Sequence, residues 1–538
     1  MMKTTDQQTG IRKLLGAQLD RKVFYGATGL ALPFIIMGGL FPDLLGKASD
    51  AALALLTNNW SWLYMISCSA FVVICLGIAL SPLGKIKLGR DDEKPEFSYL
   101  SWFAMLFSAG MGIGLIFWGV GEPMYHFMGP PTGKGGTPES ARLAFNIFFF
   151  HWGFHAWATY IVVGLPIAYF QFRKGQPATV STCLQGLKTP GFLSKIMGPF
   201  SSSGLGANIV NILAIWATIM GVVTSLGMGA LQIDSGLAHS LGIPSGPTTS
   251  AIIIVVITAL FIISALTGVS KGIKVLSLLN VSLMVILLLF FFAFGPFGYL
   301  VKTFFQALSD YAVNLIPLST SFELYDNPGW TKSWTVFYWA WWVAWAPFVG
   351  AFIARISRGR SIREFILVVM IAPPLFSYIF CTGLGGTAVF TDLFHNGNIG
   401  EVISKSGVEV ALFETLRHLP MYGLLVLFTN VLIASFFITS ADSATFVISR
   451  FSTGGVKTTD PKARKRLIVF WGMVLGGLAI VLIYSGGLKA LQTASIAGAF
   501  PFIFIMYLLL ASVIKDMIKE RKKTLVSEPH GEAVLNES

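Results

Sequence analysis

Residues 337–363 read FYWAWWVAWAPFVGAFIARISRGRSIR: Trp339, Trp341, Trp342 and Trp345, an apolar run, then Arg355, Arg358, Arg360 and Arg363. Indole rings normally collect at the edges of a membrane helix rather than inside it. Four in seven positions of one apolar stretch suggest a binding surface. The face of an indole is the best side-chain partner for an organic cation, worth about 0.5–1 kcal/mol when exposed and about 2 kcal/mol or more when desolvated. A second aromatic group, Trp152, Trp157 and Tyr160, falls within about 140° of arc if one helix carries it. Trp341, Trp342 and Trp345 fall within about 100° on theirs. Together these rings predict recognition of a quaternary-ammonium compound.

Other residues could add polar chemistry. Ser-Ala-Gly-Met-Gly-Ile-Gly at 108–114 alternates Gly110, Gly112 and Gly114. Each glycine disfavours regular helix by roughly 1 kcal/mol against alanine, so an unwound stretch is expected there. His151 and His155 have an i, i+4 spacing that can bind zinc, but no glutamate follows His151, so this is not HExxH and packing is the expected role. Acids at membrane depth are few. Glu122 and Asp442 are candidates for function by default, with Asp442 read as a structural pairing residue. The four arginines suit anchoring and salt bridges at a helix end.

Apolar residues make up 54% of the 538-residue chain and charged residues 12%. That composition, with apolar runs of roughly 20 residues, predicts an all-α polytopic membrane protein. Twelve spans are expected, near 23–42, 60–81, 101–120, 143–170, 205–231, 248–269, 273–297, 334–354, 365–389, 421–449, 467–484 and 492–514. With a cytoplasmic N-terminus, all but eight of the 38 Lys and Arg lie on the inside, which fits the positive-inside rule. The net charge of +12 therefore reflects topology and some affinity for anionic lipid, and calls for no nucleic acid. Cys68, Cys75, Cys183 and Cys381 show no ligand spacing, so neither disulfides nor a zinc site is expected. The first apolar run has no clear cleavage site and reads as a retained helix.

The expected organisation is a cytoplasmic segment over 1–22, two peripheral helices and a loop over 23–100, a first five-helix repeat over 101–300, an external amphipathic segment over 301–333, a second repeat over 334–514, and a short basic cytoplasmic tail over 515–538. The stretches 298–333 and 390–420 are expected to form short helices along the membrane surface. The glycine-rich and tryptophan-rich spans each open one half. An inverted-repeat transporter is organised in this way, with its site beside a broken helix.

GMGIGLIFWGVGEP (110–123), HWGFHAWATY (151–160), the tryptophan stretch and FFITSADSAT (436–445) resemble signature stretches of the betaine/carnitine/choline transporter family. The resemblance covers roughly residues 20–515. It implies a core similar to that of sodium-coupled transporters built from two inverted five-helix repeats, and a homotrimer. It also implies that Trp152, Trp157, Tyr160 and Trp342 box a trimethylammonium group, with Trp341 and Trp345 along the same pathway. Unwound backbone at Gly110, Met111, Gly112 and Gly114 would then approach a substrate carboxylate. A neutral cage suits a zwitterion, because a counter-carboxylate in it would favour bare cations too.

Proton-coupled choline transporters resemble this chain but typically carry aspartate at the position of Gly114, and sodium-independent carnitine exchangers carry methionine at that of Val349. Both differences favour a betaine-like zwitterion and sodium coupling. Sodium needs hard oxygen donors. The resemblance implies Thr439 and Ser440 as hydroxyl ligands, completed by backbone carbonyls of Ser108, Met111 and Phe436. A second sodium site would use Thr218 and the ring of Phe348, but Val222 stands where a threonine is expected.

The expected function is sodium symport of glycine betaine across a bacterial inner membrane, with both termini cytoplasmic and no cofactor beyond the coupling ion. The alternatives are uptake of choline, carnitine, dimethylsulfoniopropionate or ectoine with protons or sodium, or substrate exchange. An enzyme would need an acid/base or metal constellation at one depth, and a channel would need polar or charged rings. The sequence shows neither.

Overall fold

The computed structural model describes residues 19–110, 112–188, 204–267, 270–322, 328–454 and 461–527, and among them it is helical with no strand. In chain order the helices are α1 (Arg21–Leu40), α2 (Pro42–Leu80), α3 (Tyr99–Gly110), α4 (Ile113–Met128), α5 (Pro138–Trp152), α6 (Phe154–Ala168), α7 (Leu205–Leu241), α8 (Pro247–Thr267), α9 (Ser270–Phe294) and α10 (Phe297–Thr320). After the short helix Pro328–Ser333 come α11 (Thr335–Ile356), α12 (Ile362–His395), α13 (Ile399–Ser406), α14 (Ala411–Arg417), α15 (Tyr422–Phe451) and α16 (Pro461–Ser527).

Nine helices among the described residues are long and apolar enough to cross a membrane, or ten if the pair bent by 113° between α9 and α10 is one span. The other expected crossings lie where glycine breaks a helix. The third is divided into α3 and α4, of 12 and 16 residues, each too short alone. The eleventh and twelfth share α16, which turns at Gly486 and at Gly487, where φ is +58°. Short helices are expected over 298–333 and 390–420; among the described residues there, α10 is a 24-residue helix that leaves α9 at a steep angle, and α13 and α14 are short.

Local chemistry sets the ends. Thr137 and Ser140 form a reciprocal capping box ahead of α5, with Pro138 in its first turn. The Ser361 hydroxyl accepts from the Glu364 amide to start α12. Small residues then let the helices that matter approach closely. A β-carbon on Gly350 of α11 would lie 2.9 Å from the Gly164 amide nitrogen of α6, and one on Gly221 of α7 would lie 2.9 Å from Cδ1 of Trp345. Those contacts bring Tyr160, Trp342 and Trp345 together. The 86–97 loop pairs with the α11–α12 turn through Leu88 N to Arg360 O (2.8 Å), Gly359 N to Leu88 O (2.8 Å) and Ile362 N to Ile86 O (2.9 Å).

Candidate substrate site

A cavity of 660 Å³ lies between the broken helix α3–α4 and helices α5, α6, α7, α9, α11 and α15. Its aromatic wall is Trp152, Tyr160, Trp341, Trp342, Trp345 and Phe348, and Gly112, Ile113, Gly114 and Leu115 face it. The described lining includes no Asp, Glu, Lys, Arg or His. It continues past Ser101, Phe97 and Phe352 toward the arginine end of α11. On the other side the rings close up, with Trp118 on Trp334 at 5.5 Å and on Tyr338 at 6.0 Å, and Tyr125 on Trp334 at 5.4 Å. Lining residues Ser101 and Ala104 at the first end are exposed, whereas the rings at the other are packed on one another.

The cage is held ring by ring. Trp342 stacks on Trp341 (5.0 Å, 19°) and meets Trp152 edge-on (4.9 Å, 72°) and Tyr160 edge-on (6.2 Å, 82°). Three indole N–H groups are anchored: Trp152 donates to Glu122 Oε2 (2.9 Å), Trp342 to His151 O (3.0 Å) and Trp345 to Gly221 O (2.9 Å). The Trp341 indole nitrogen, also buried, has no partner among the described residues.

Trp157 is placed differently from the expectation. It does not line the cavity; it is buried behind Tyr160, whose ring it meets at 5.4 Å and 90°. The arc argument assumed one continuous helix, and the helix breaks at Gly153. There the Tyr311 hydroxyl accepts from Phe154 N (3.1 Å) and the Tyr378 hydroxyl donates to Phe149 O (3.0 Å). Inserted hydroxyls of this kind change a helix's phase.

The glycine stretch unwinds where expected. α3 ends at Gly110, Gly112 is extended, and α4 begins at Ile113 without a side-chain cap. The first amides of α4 lack intrahelical partners and carry the positive end of the helix dipole, a setting that suits an anion. Met111 lies outside the described residues, as do the side chains at Ser108 and Gly110, so their expected roles receive no geometry.

Of the expected sodium ligands, Phe436, Thr439 and Ser440 all line the cavity. A β-carbon on Gly112 would lie 3.8 Å from the Ser440 hydroxyl oxygen, which sets α15 across from the break. The Thr439 hydroxyl donates to Ser435 O and Phe436 O (both 3.1 Å) and accepts from Asn280 Nδ2 (2.9 Å). Asn280 Oδ1 is buried without a partner on the same cavity. Sequence reading missed Asn280, although an amide in the apolar run of α9 is a signal. Phe348 lines the cavity, but Thr218 does not; it bonds Ala214 O at 2.8 Å.

Glu122 is the other surprise. Its buried carboxylate receives His151 Nδ1 (2.6 Å) and His126 Nε2 (3.3 Å) on Oε1, and Trp152 Nε1 (2.9 Å) and the Tyr338 hydroxyl (2.5 Å) on Oε2. The ligand atoms of Glu122, His126 and His151 lie within 4.8 Å of one another, near enough for a metal ion. Hydrogen bonds already occupy the facing atoms, which favours a polar network. His155 has no part in it; it bonds the Ser319 hydroxyl (3.1 Å) and stacks on Trp339 (4.8 Å, 10°). Asp442 pairs with the Ser264 hydroxyl at 3.3 Å. All four cysteines are free and buried.

The sequence profile of the BCCT, or betaine/carnitine/choline, transporter family matches residues 22–522. A probable glycine betaine transporter of Desulfitobacterium hafniense is 42% identical over 93% of this chain and 98% of its own length. The glycine betaine transporter OpuD of Bacillus subtilis is 42% identical over 94% of this chain and 96% of its own. An ectoine/hydroxyectoine transporter of Virgibacillus pantothenticus is 40% identical over 94% and 98%. The relatives are named as transporters, not enzymes, and with a match over nearly its whole length this multi-pass membrane chain belongs to the betaine/carnitine/choline transporter family.

Proposed function

We propose that the chain imports glycine betaine by sodium symport through alternating access. The observation that carries this reading is the cage of Trp152, Tyr160, Trp341 and Trp342 on a cavity whose described lining holds no charged side chain, facing the uncapped start of α4. The rings suit a trimethylammonium head, and the α4 amides suit a carboxylate. No net charge is then left in the cavity, as a zwitterion requires.

A cavity with exposed lining at one end and packed rings at the other suits alternating access. Thr439, Ser440 and the Phe436 carbonyl supply hard oxygens beside the break in α3–α4 and form the proposed sodium site. One sodium crossing about 100 mV contributes about 2.3 kcal/mol, and a tenfold gradient adds about 1.4 kcal/mol. Together they support roughly 500-fold accumulation of a neutral solute. Thr218 and Val222 offer the cavity no second hydroxyl, which favours one strong site. We place both termini in the cytoplasm of a bacterial cell, with the chain in the inner membrane as a homotrimer, on family resemblance and the Lys/Arg distribution.

The ectoine/hydroxyectoine relative favours a second reading, a compact zwitterion without a trimethylammonium group. Counterflow of labelled glycine betaine, ectoine, choline and carnitine into proteoliposomes, with and without a sodium gradient, separates the two. The proposal expects betaine to exchange fastest and only with sodium. Equal betaine uptake with potassium in place of sodium would overturn the coupling, and preference for ectoine would overturn the substrate.

A further inference from the structure

We propose that Glu122 is a specificity-determining residue: its buried carboxylate, one ring removed from the cavity, tunes Trp152 for a cationic head. The inference rests on the cage holding a trimethylammonium group.

The geometry is that of an ionised carboxylate. Such a group offers about four acceptor sites, and four donors converge on it from His126, His151, Trp152 and Tyr338. The histidines need carry no charge to donate. His151 Nδ1 faces Glu122 and its Nε2 pairs with the Thr335 hydroxyl at 3.0 Å, which the neutral Nδ1–H tautomer satisfies, and His126 faces Glu122 with Nε2 while its Nδ1 has no partner among the described residues. Rings that donate in the neutral form satisfy an anion without cancelling it.

Only one of the four donors also lines the cavity, and that is Trp152. A hydrogen bond to an anion draws the indole N–H toward it and pushes electron density onto the ring, more so in a low-dielectric interior. The ring face becomes a better partner for a cation. The carboxylate itself stays out of contact, so it cannot pair with a bare ammonium in the cavity. It also sets a direction. Glu122 lies nine residues along α4 from Ile113, about 14 Å at 1.5 Å per residue. The field from the positive start of α4 to this carboxylate orients a zwitterion head toward Trp152 and tail toward Gly112.

The test compares glycine betaine with its carbon isostere, 3,3-dimethylbutanoate, which keeps shape and carboxylate but lacks the cation. Affinities are measured by calorimetry on purified full-length protein in sodium. In the native protein, betaine must bind more tightly than the isostere; without that preference the cation-cage reading itself fails. Glu122→Gln keeps the volume and removes the charge. It is expected to lower the preference for betaine by about three- to tenfold while isostere affinity holds within about twofold. A folded Glu122→Gln protein that keeps the preference, or loses both ligands equally, overturns the proposal. Should that variant not fold, Tyr338→Phe decides. It removes a competing donor from Oε2 and leaves the charge, so the preference must be kept or rise, and a fall overturns the proposal.

Discussion

A β-carbon on Gly114 would overlap Cη2 of Trp341 and lie 3.0 Å from its Cζ2, so the edge of this indole rests directly on the glycine. Gly114 thus permits a close approach that no other residue would allow. Gly114→Ala is expected to weaken betaine binding by about tenfold or more, since overpacking costs about 1–3 kcal/mol. Trp341→Phe in the same chain makes room and should restore part of the affinity. An aspartate at 114, the change expected to admit choline, meets the same ring. Gain of choline uptake should therefore be stronger in Gly114→Asp with Trp341→Phe than in Gly114→Asp alone. Calorimetry and proteoliposome uptake measure both, and full betaine affinity in Gly114→Ala would refute the contact.

Trp342 and Trp157 separate the cage from its support. Trp342 lines the cavity, while Trp157 stands behind Tyr160. Trp342→Leu keeps bulk but removes the ring quadrupole, so about 1–2 kcal/mol of binding should disappear, roughly five- to thirtyfold in Kd. Trp157→Phe should change Kd by less than about threefold, because it preserves an edge for Tyr160. Equal losses in the two variants would return Trp157 to the cage.

The sequence made the aromatic cage legible because indole is rare inside membrane helices and its clustering needs no tertiary information. The break at 110–112 was legible for a similar reason, since alternating glycines weaken a helix locally. Trp157 stands against Tyr160 outside the cavity lining, and the break at Gly153 that separates its helix from Trp152 was not legible, since it is made with Tyr311 and Tyr378 from α10 and α12. The Glu122 network was invisible as a network, its donors being scattered from 126 to 338. Hydropathy marked the long apolar helices, of which nine or ten among the described residues could cross a membrane, but α16 needed the backbone at Gly486–Gly487 to be divided.

The proposed sodium coupling rests on which hydroxyls face the cavity. Thr439 and Ser440 do and Thr218 does not. Thr439→Ala with Ser440→Ala should abolish sodium-stimulated betaine uptake in proteoliposomes while leaving the protein folded. Thr218→Ala, which loses a bond to Ala214 O, should leave the sodium dependence unchanged. The reverse pattern would move the ion to the second site.

The arginines at and beyond the end of α11 are unequal. Arg355 reaches Glu96 at 3.2 Å with half of its side chain exposed, and exposed pairs are worth about 0–1 kcal/mol. Arg360 is buried. Its guanidinium donates to Glu364 Oε1 and Phe97 O, both at 2.7 Å, and lies 4.2 Å and 4.6 Å from the ring centres of Tyr99 and Trp102. It therefore fastens the 86–97 loop and the start of α3, and so the exposed end of the cavity, to the α11–α12 turn. Arg360→Ala should cost about 2–4 kcal/mol, from the lost stacking, the lost bond to Glu364 and the Phe97 carbonyl left without this donor. Arg360→Lys should recover little, since an ammonium has neither the flat face nor the fork that spans both acceptors. Arg355→Ala should stay within about 0.5 kcal/mol of the native protein. Unfolding in detergent measures all three, and an Arg360→Lys protein as stable as the native one would show that charge alone holds this joint.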